Sequence, residues 1–202
     1  MTDKYFNEGW FGKHPAIYEF ASFFISPIRR RGVRMMGDKP IKILDLATGT
    51  GAHAYELAKK GHKVIGVDLD DKMLQKATLK ATKENQLEFR QADGTKLPFS
   101  DAEFDAATIS FAMHDVPAEI GIDILAEAKR VIKKDGFIVI VDYNNLKSSF
   151  GAKFLHPFAL IYETSNYKPF VKKSLDFYLQ KACLKIVDKK TFLGAVQFTK
   201  LM

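Results

Sequence analysis

Residues 41–51, IKILDLATGTG, constrain this chain more than any other stretch. A short apolar run ends in an acidic residue, Asp45, and passes directly into a tight loop carrying Gly49 and Gly51. Apolar residues at Ala54, Leu57 and Ala58 then follow at the spacing of a helix packed on a sheet. A buried strand, a glycine loop and a helix in that order belong to an open α/β sheet, whose ligands bind outside the carboxyl ends of the strands. Without a Cβ, Gly49 and Gly51 allow a sharp turn and a close approach of backbone to ligand. The dinucleotide fingerprint requires three glycines as G-x-G-x-x-G, and the loop does not supply them. Asp45 at that edge suits a cationic or amino-bearing ligand better than a phosphate.

The pattern of strand and helix repeats down the chain. Residues 63–68 (KVIGVD) read as a second buried strand ending in Asp68, and Asp70 is placed to cap a helix with Met73, Leu74, Ala77 and Ala81 on its apolar face. Residues 87–91 alternate as a third strand and lead to Asp93 and Gly94, with a loop through 97–99. Residues 104–110 form the fourth strand, followed by a loop over 111–117 that contains His114. Ile120, Ile124, Ala128 and Val131 mark a helix over 117–134, which Lys133 and Lys134 favour electrostatically and Gly136 ends. A continuous apolar run over 137–141 is the fifth strand, covered on both faces. Five strands alternating with helices predict a parallel, doubly wound, Rossmann-like sheet. Residues 185–188 and 192–199 add an antiparallel pair at its edge, seven strands in all. Ahead of the sheet, Pro15 starts one helix and Ser26-Pro27 a second running to about residue 36, an N-terminal helical cap. A further helix is predicted over 170–182. The chain divides into a cap (1–40), a core (41–143), a lid over a substrate pocket (144–182) and the final strand pair (183–202), within one domain.

Composition narrows the function. At 202 residues with 47% hydrophobic and 27% charged side chains, the chain supports one sizeable core. No apolar run reaches the roughly 18 residues of a membrane span. The first residues carry no secretory pattern, and Cys183 is the single cysteine, so a cytoplasmic protein without internal disulfide or structural zinc is expected. His14, His53, His62 and His156 show no metal-ligand spacing. The formal charge of +7 is concentrated: residues 147–202 hold ten lysines against Glu163, Asp176 and Asp188, while residues 1–146 balance. Such an end is either a solvated face or an attraction to an acidic substrate or anionic membrane. Lys168, Lys172, Lys173 and Lys181 are expected to spread that field diffusely around the pocket mouth, and Arg29, Arg30 and Arg31 suggest either a membrane-surface helix or a packed cap.

Asp45, Asp68 and Asp93 end three successive strands. Singly, each is an ordinary turn or cap aspartate; together they place three acceptors along one sheet edge, able to serve an ammonium, ribose hydroxyls and an adenine amino group. On these residues and motifs the chain resembles the class I S-adenosylmethionine-dependent methyltransferases over about residues 41–143, with Ala47 where many members carry the first glycine. The details DLATGTG and LPF are most similar to the ubiquinone and menaquinone C-methyltransferase branch. The resemblance implies that Asp45, Ala47, Gly49 and Gly51 hold the methionine part of S-adenosyl-L-methionine. It assigns Asp68 and Leu69 to the ribose, with Met73 closing that motif, and Asp93 and Gly94 to the adenine. Ser110 and Phe111 then lie near the sulfonium. The reaction implied is displacement at a methyl carbon, in which the protein chiefly supplies alignment. His114 is the candidate base where the acceptor must lose a proton, or else a loop histidine shaping the pocket. The acceptor expected is a small molecule, quinol-like, lipid or another metabolite, with Tyr5, Tyr18, Tyr143 and Tyr162 as candidate lining. The chain lacks the Asn/Asp-Pro-Pro-aromatic motif, a strand-end cysteine and any recognisable RNA-binding module, so no nucleic-acid partner is expected. A non-catalytic S-adenosylmethionine-binding protein and, on the shared fold, a nicotinamide-dependent oxidoreductase are the alternatives.

Overall fold

The strand-and-helix alternation folds, in a computed structural model describing residues 25–82, 86–145 and 164–202, into a seven-stranded sheet of order β3-β2-β1-β4-β5-β7-β6. The strands are β1 (Lys42–Leu46), β2 (Lys63–Asp68), β3 (Leu87–Gln91), β4 (Phe104–Ser110), β5 (Ile132–Tyr143), β6 (Ile186–Phe192) and β7 (Val196–Leu201). The first five run parallel, and β7 pairs antiparallel with both β5 and β6. Among the described residues the helices are α1 (Ser26–Arg34), α2 (Ala52–Lys59), α3 (Asp71–Thr78), α4 (Ala118–Val131), α5 (Tyr167–Lys173) and α6 (Leu175–Lys181). The chain moves from β1 outward to β3 and then returns to β4 beside β1, so the topological switch point lies between β1 and β4. A crevice opens there by geometry alone.

Side-chain alternation along the strands builds two cores. Leu44, Leu46, Ile65, Val67, Ala107, Ile109, Ile138 and Ile140 face α4, α5 and α6; Ile43, Val64, Ala106, Val139 and Val141 face α1 and α2. Gly32 of α1 is needed for close packing, since a Cβ there would lie 2.5 Å from Val141. The α1 helix is therefore a packed cap, with Arg29 buried and Arg30 paired to Glu56 at 3.3 Å. The helix expected from Pro15 lies outside the described residues.

Three boundaries differ from the sequence expectations. The fourth helix stops at Val131, and Ile132 already has extended backbone. Lys133 to Gly136 form the irregular start of β5, where Lys133 pairs with Asp105 at 2.6 Å and a register shift occurs opposite Phe104–Ala106. The apolar pattern passes from helix to strand without a turn residue, which hides the change. The helix expected over 170–182 is two, α5 and α6, broken at Ser174 with φ +65°; the break lets Tyr167 and Phe170 as well as Leu175, Tyr178 and Leu179 reach the same core. The final hairpin turns at 193–195, not 189–191, because Leu193 and Gly194 take positive φ.

Candidate functional site

The ends of β1, β2, β3 and β4 converge on one cleft at the switch point. Its walls are Leu46, Val67, Ile109, Met113, Val116 and Ile124, and its polar rim runs from Ala47 through Asp68 and Leu69 to Asp93, Gly94 and Thr95. Counted out to open solvent it encloses about 560 Å³.

Each rim carboxylate is held by local backbone. Asp68 receives Gly49 N–H at 2.7 Å and Asp70 N–H at 3.0 Å, one on each oxygen. A carboxylate has about four lone-pair sites, so both oxygens can accept again. Burial raises the Asp68 carboxyl above its ordinary pKa, and the two N–H groups oppose that rise. Asp93 takes Thr95 N–H and Thr95 Oγ1 on Oδ1, at 2.8 and 2.7 Å, leaving Oδ2 without a partner among the described residues. Asp70 caps α3 through Lys72 N–H and Met73 N–H, so Met73 sits in the first turn beneath the rim.

Asp45 lies below the loop. Thr48 Oγ1 donates to its Oδ2 at 2.6 Å, while Oδ1 is buried with no partner. Burial pushes this carboxyl up to about 7, against the Thr48 hydrogen bond and the Arg29 charge. Beside it His53 Nε2 and Thr108 Oγ1 are 3.2 Å apart, and burial holds the His53 imidazole down at about 3, hence neutral. Ala47 (φ +51°), Gly49 (+55°) and Gly51 (+73°) make the turn, and Gly51 also has no room for a side chain, since a Cβ would lie 2.5 Å from the Phe89 ring. The glycines thus shape the loop, while Ala47 fronts the cleft.

A second polar cluster stands where β4 and β5 end. Asp142, completely buried, receives Met113 N–H (2.9 Å) on Oδ2 and Tyr143 N–H (2.7 Å) on Oδ1, and Oδ1 lies 2.7 Å from His114 Nδ1. A carboxylate accepts only, so Nδ1 carries the proton toward Asp142, and Nε2 lies 3.5 Å from a second carboxylate oxygen, Asp115 Oδ2. The imidazole is edge-on to Tyr143, Tyr167 and Phe170. Phe111 has φ +54°, unusual for a bulky residue, with its N–H held by Val141 O at 2.8 Å and its ring against Tyr143. Ser110 Oγ is buried without a partner.

The structure thus brings Ala47, Asp68, Leu69, Asp93 and Gly94 to the cleft, and sets Asp45, Gly49, Gly51, Met73, Ser110, Phe111 and His114 around it without lining it. Sequence reading missed Asp142 and the walls Met113, Ile120 and Ile124. Asp142 carries the same signal as Asp45 and Asp68, an acid closing an apolar strand; the isoleucines read only as a helix core stripe. Tyr5, Tyr18 and Tyr162 lie outside the described residues.

The donor set fits S-adenosylmethionine: carboxylate oxygens with spare capacity at both ends of an apolar slot, and an unpartnered buried carboxylate oxygen where an ammonium would be complementary. The family model described as a methyltransferase domain matches residues 43–136. The demethylmenaquinone methyltransferase of Lactococcus lactis subsp. lactis is 32% identical over 181 residues, spanning 81% of this chain and 67% of that protein. That of Clavibacter sepedonicus is 40% identical over 104 residues, 51% of this chain and 41% of its own. The chain spans about half the length of most of the curated relatives it matches. A solved S-adenosylmethionine-dependent methyltransferase from Thermotoga maritima, described as a possible histamine N-methyltransferase, shares the fold with TM-score 0.72 at 19% identity over 95% of this chain and 97% of its own. The chain belongs to the class I S-adenosylmethionine-dependent methyltransferases, in the branch of the ubiquinone and menaquinone C-methyltransferases.

Proposed function

We propose that this protein methylates a ring carbon of a reduced, quinone-type small molecule. The observation that carries the reading is the single cleft at the switch point, with acceptors at Asp68 and Asp93 and apolar walls between them. The choice of acceptor rests on the relatives named for demethylmenaquinone.

S-adenosylmethionine, when bound, supplies a methyl group on a sulfonium whose leaving group is a neutral thioether. The chain's own residues position and exclude water: Asp45, Asp68 and Asp93 accept hydrogen bonds, and Leu46, Val67, Ile109 and Met113 keep the slot dry. Forming a carbon–carbon bond on an aromatic ring leaves one proton to remove. His114 Nε2 accepts a proton from the quinol, and Asp142, fixed by two backbone N–H groups, holds the ring and stabilises the imidazolium. The cap and lid expected over 1–40 and 144–182 fall largely on residues 1–24 and 146–163, which lie outside the described residues. No described helix is long and apolar enough to cross a membrane.

The test is calorimetry with S-adenosylmethionine and S-adenosylhomocysteine, followed by turnover of a demethylated naphthoquinol in detergent micelles read by mass spectrometry. Binding, methyl transfer to carbon, and a loss of about a hundredfold or more in rate for His114→Asn are expected. Binding without turnover of any acceptor in a broad panel would make the protein a binding module; methyl transfer confined to amines would overturn the quinol assignment.

A further inference from the structure

On the opposite face of the sheet from the cofactor cleft, the last turn of α1 and the β6–β7 hairpin enclose a second cavity. Counted out to open solvent it holds about 850 Å³. Arg31 and Arg34 enter from α1, and Lys190 and Thr191 from β6. Its apolar lining is Met35, Phe192 and the buried Phe198. Among the described residues no carboxylate lines it.

We infer that this cavity binds an amphiphile carrying a phosphate-type oxyanion, the charged group between Arg31, Arg34 and Lys190 and the apolar part against Phe192 and Phe198. Arg31 and Arg34 from one helix and Lys190 from a distant strand bring three cations to one lining, and Asp188, beside Lys190, is the one acid paired with them among the described residues, an excess of positive charge that an anion would relieve. The neighbouring arginines show that the convergence is selective. Arg29 turns into the core and Arg30 pairs with Glu56, while neither Arg31 nor Arg34 has a carboxylate partner among the described residues. Arg31 is held in place with its guanidinium 4.2 Å above the Phe192 ring. Lys190 reaches only its half-buried neighbour Asp188, at 3.3 Å. Cations in the last turn of a helix also complement its dipole, which accounts for Arg31 and Arg34 but not for Lys190 facing them from another element. Two guanidinium forks and an ammonium match the several oxygens of a phosphate, and the aromatic lining adds a place for hydrocarbon that an inorganic ion would leave unused. Lys168, Lys172, Lys173 and Lys181, by contrast, are exposed around α5 and α6 and line neither cavity.

The experiment titrates the intact protein with octyl phosphate, inorganic phosphate and octyl glucoside. It also sediments the protein with vesicles of phosphatidylglycerol and phosphatidylcholine or of phosphatidylcholine alone. Octyl phosphate is expected to bind at least about tenfold more tightly than inorganic phosphate, and octyl glucoside not at all. The Arg34→Gln/Lys190→Gln variant should lose at least about tenfold in octyl phosphate affinity while binding S-adenosylmethionine as the parent does; that second readout reports the fold and the cofactor cleft separately. Should the double variant misfold, Lys190→Gln alone is expected to show a smaller loss in the same direction. Added binding to anionic vesicles identifies a lipid source, and its absence beside octyl phosphate binding identifies a soluble ester; both support the site. Equal affinity in parent and folded variants, equal binding of octyl glucoside, or binding to vesicles without binding of octyl phosphate would each overturn it.

Discussion

Replacing Asp45 by Asn tests how the acidic residue under the glycine loop trades stability for a charge. In the folded protein burial lifts this carboxyl from 3.8 to about 7. Between those values the unfolded chain has released the proton and the native state keeps it, so the native state binds more protons and stability falls as pH rises. The penalty is absent below pH ~4 and complete above pH ~7. At 1.36 kcal/mol for each pKa unit, three units correspond to about 4 kcal/mol. The amide is isosteric, keeps an oxygen for Thr48 Oγ1 and never ionises, so the variant should escape this penalty. For a chain of this size, 4 kcal/mol corresponds to about 8–16 °C in Tm. The assay is thermal unfolding of both proteins without cofactor from pH 4 to 8. The variant's advantage in Tm should grow through that window. His53, neutral by burial, titrates with the opposite slope in both proteins and cancels in the difference. With S-adenosylmethionine the order reverses in value: the variant should bind at least about tenfold more weakly, having lost the carboxylate that complements an ammonium. A Tm difference that stays flat from pH 4 to 8 would refute the buried-charge account, and unchanged cofactor affinity would reduce Asp45 to a turn residue.

Two further perturbations probe the frame of the site. Gly51→Ala places a methyl 2.5 Å from the Phe89 ring at φ +73°, and should cost about 2–5 kcal/mol in denaturant unfolding, combining left-handed strain with overpacking; a loss under about 1 kcal/mol would show that the loop relaxes freely. Arg130→Ala removes bonds to Glu127, Asp101 and the carbonyls of Leu97 and Phe99, and should loosen the loop after β3, read as faster amide exchange at 95–99 with unchanged exchange in β1; unchanged protection at 95–99 would mean Leu97 and Phe99 hold the loop by packing alone.

Much of the parallel sheet was legible because its first four strands are short apolar or alternating runs with a polar residue at or next to the carboxyl end. The ranges 63–68, 87–91 and 104–110 fall where the structure has β2, β3 and β4. The rim of the cleft was legible for the same reason, since Asp68 and Asp93 stand at or just beyond strand ends. What escaped was set by tertiary context. Val131 and Ile132 are both apolar, and nothing local marks that one ends a helix and the other begins a strand. Ser174 carries no glycine-like signal for its positive φ. Ile120 and Ile124 satisfy the helix-core pattern and the cleft wall at once, so periodicity cannot separate the two roles. Asp142 gains its meaning only when the loop after β4 folds against the end of β5.

That contact ties two parts of the candidate site to one buried carboxylate. A single carboxylate grips the backbone of Met113, which walls the cofactor cleft, the ring of His114, and the first residue beyond itself in the same strand. Displacing that carboxylate would release the cleft wall at Met113 and the imidazole of His114 together. On the proposed function, substitutions at Asp142 are therefore expected to change acceptor turnover and cofactor affinity together, a constraint on how acceptor preference can evolve.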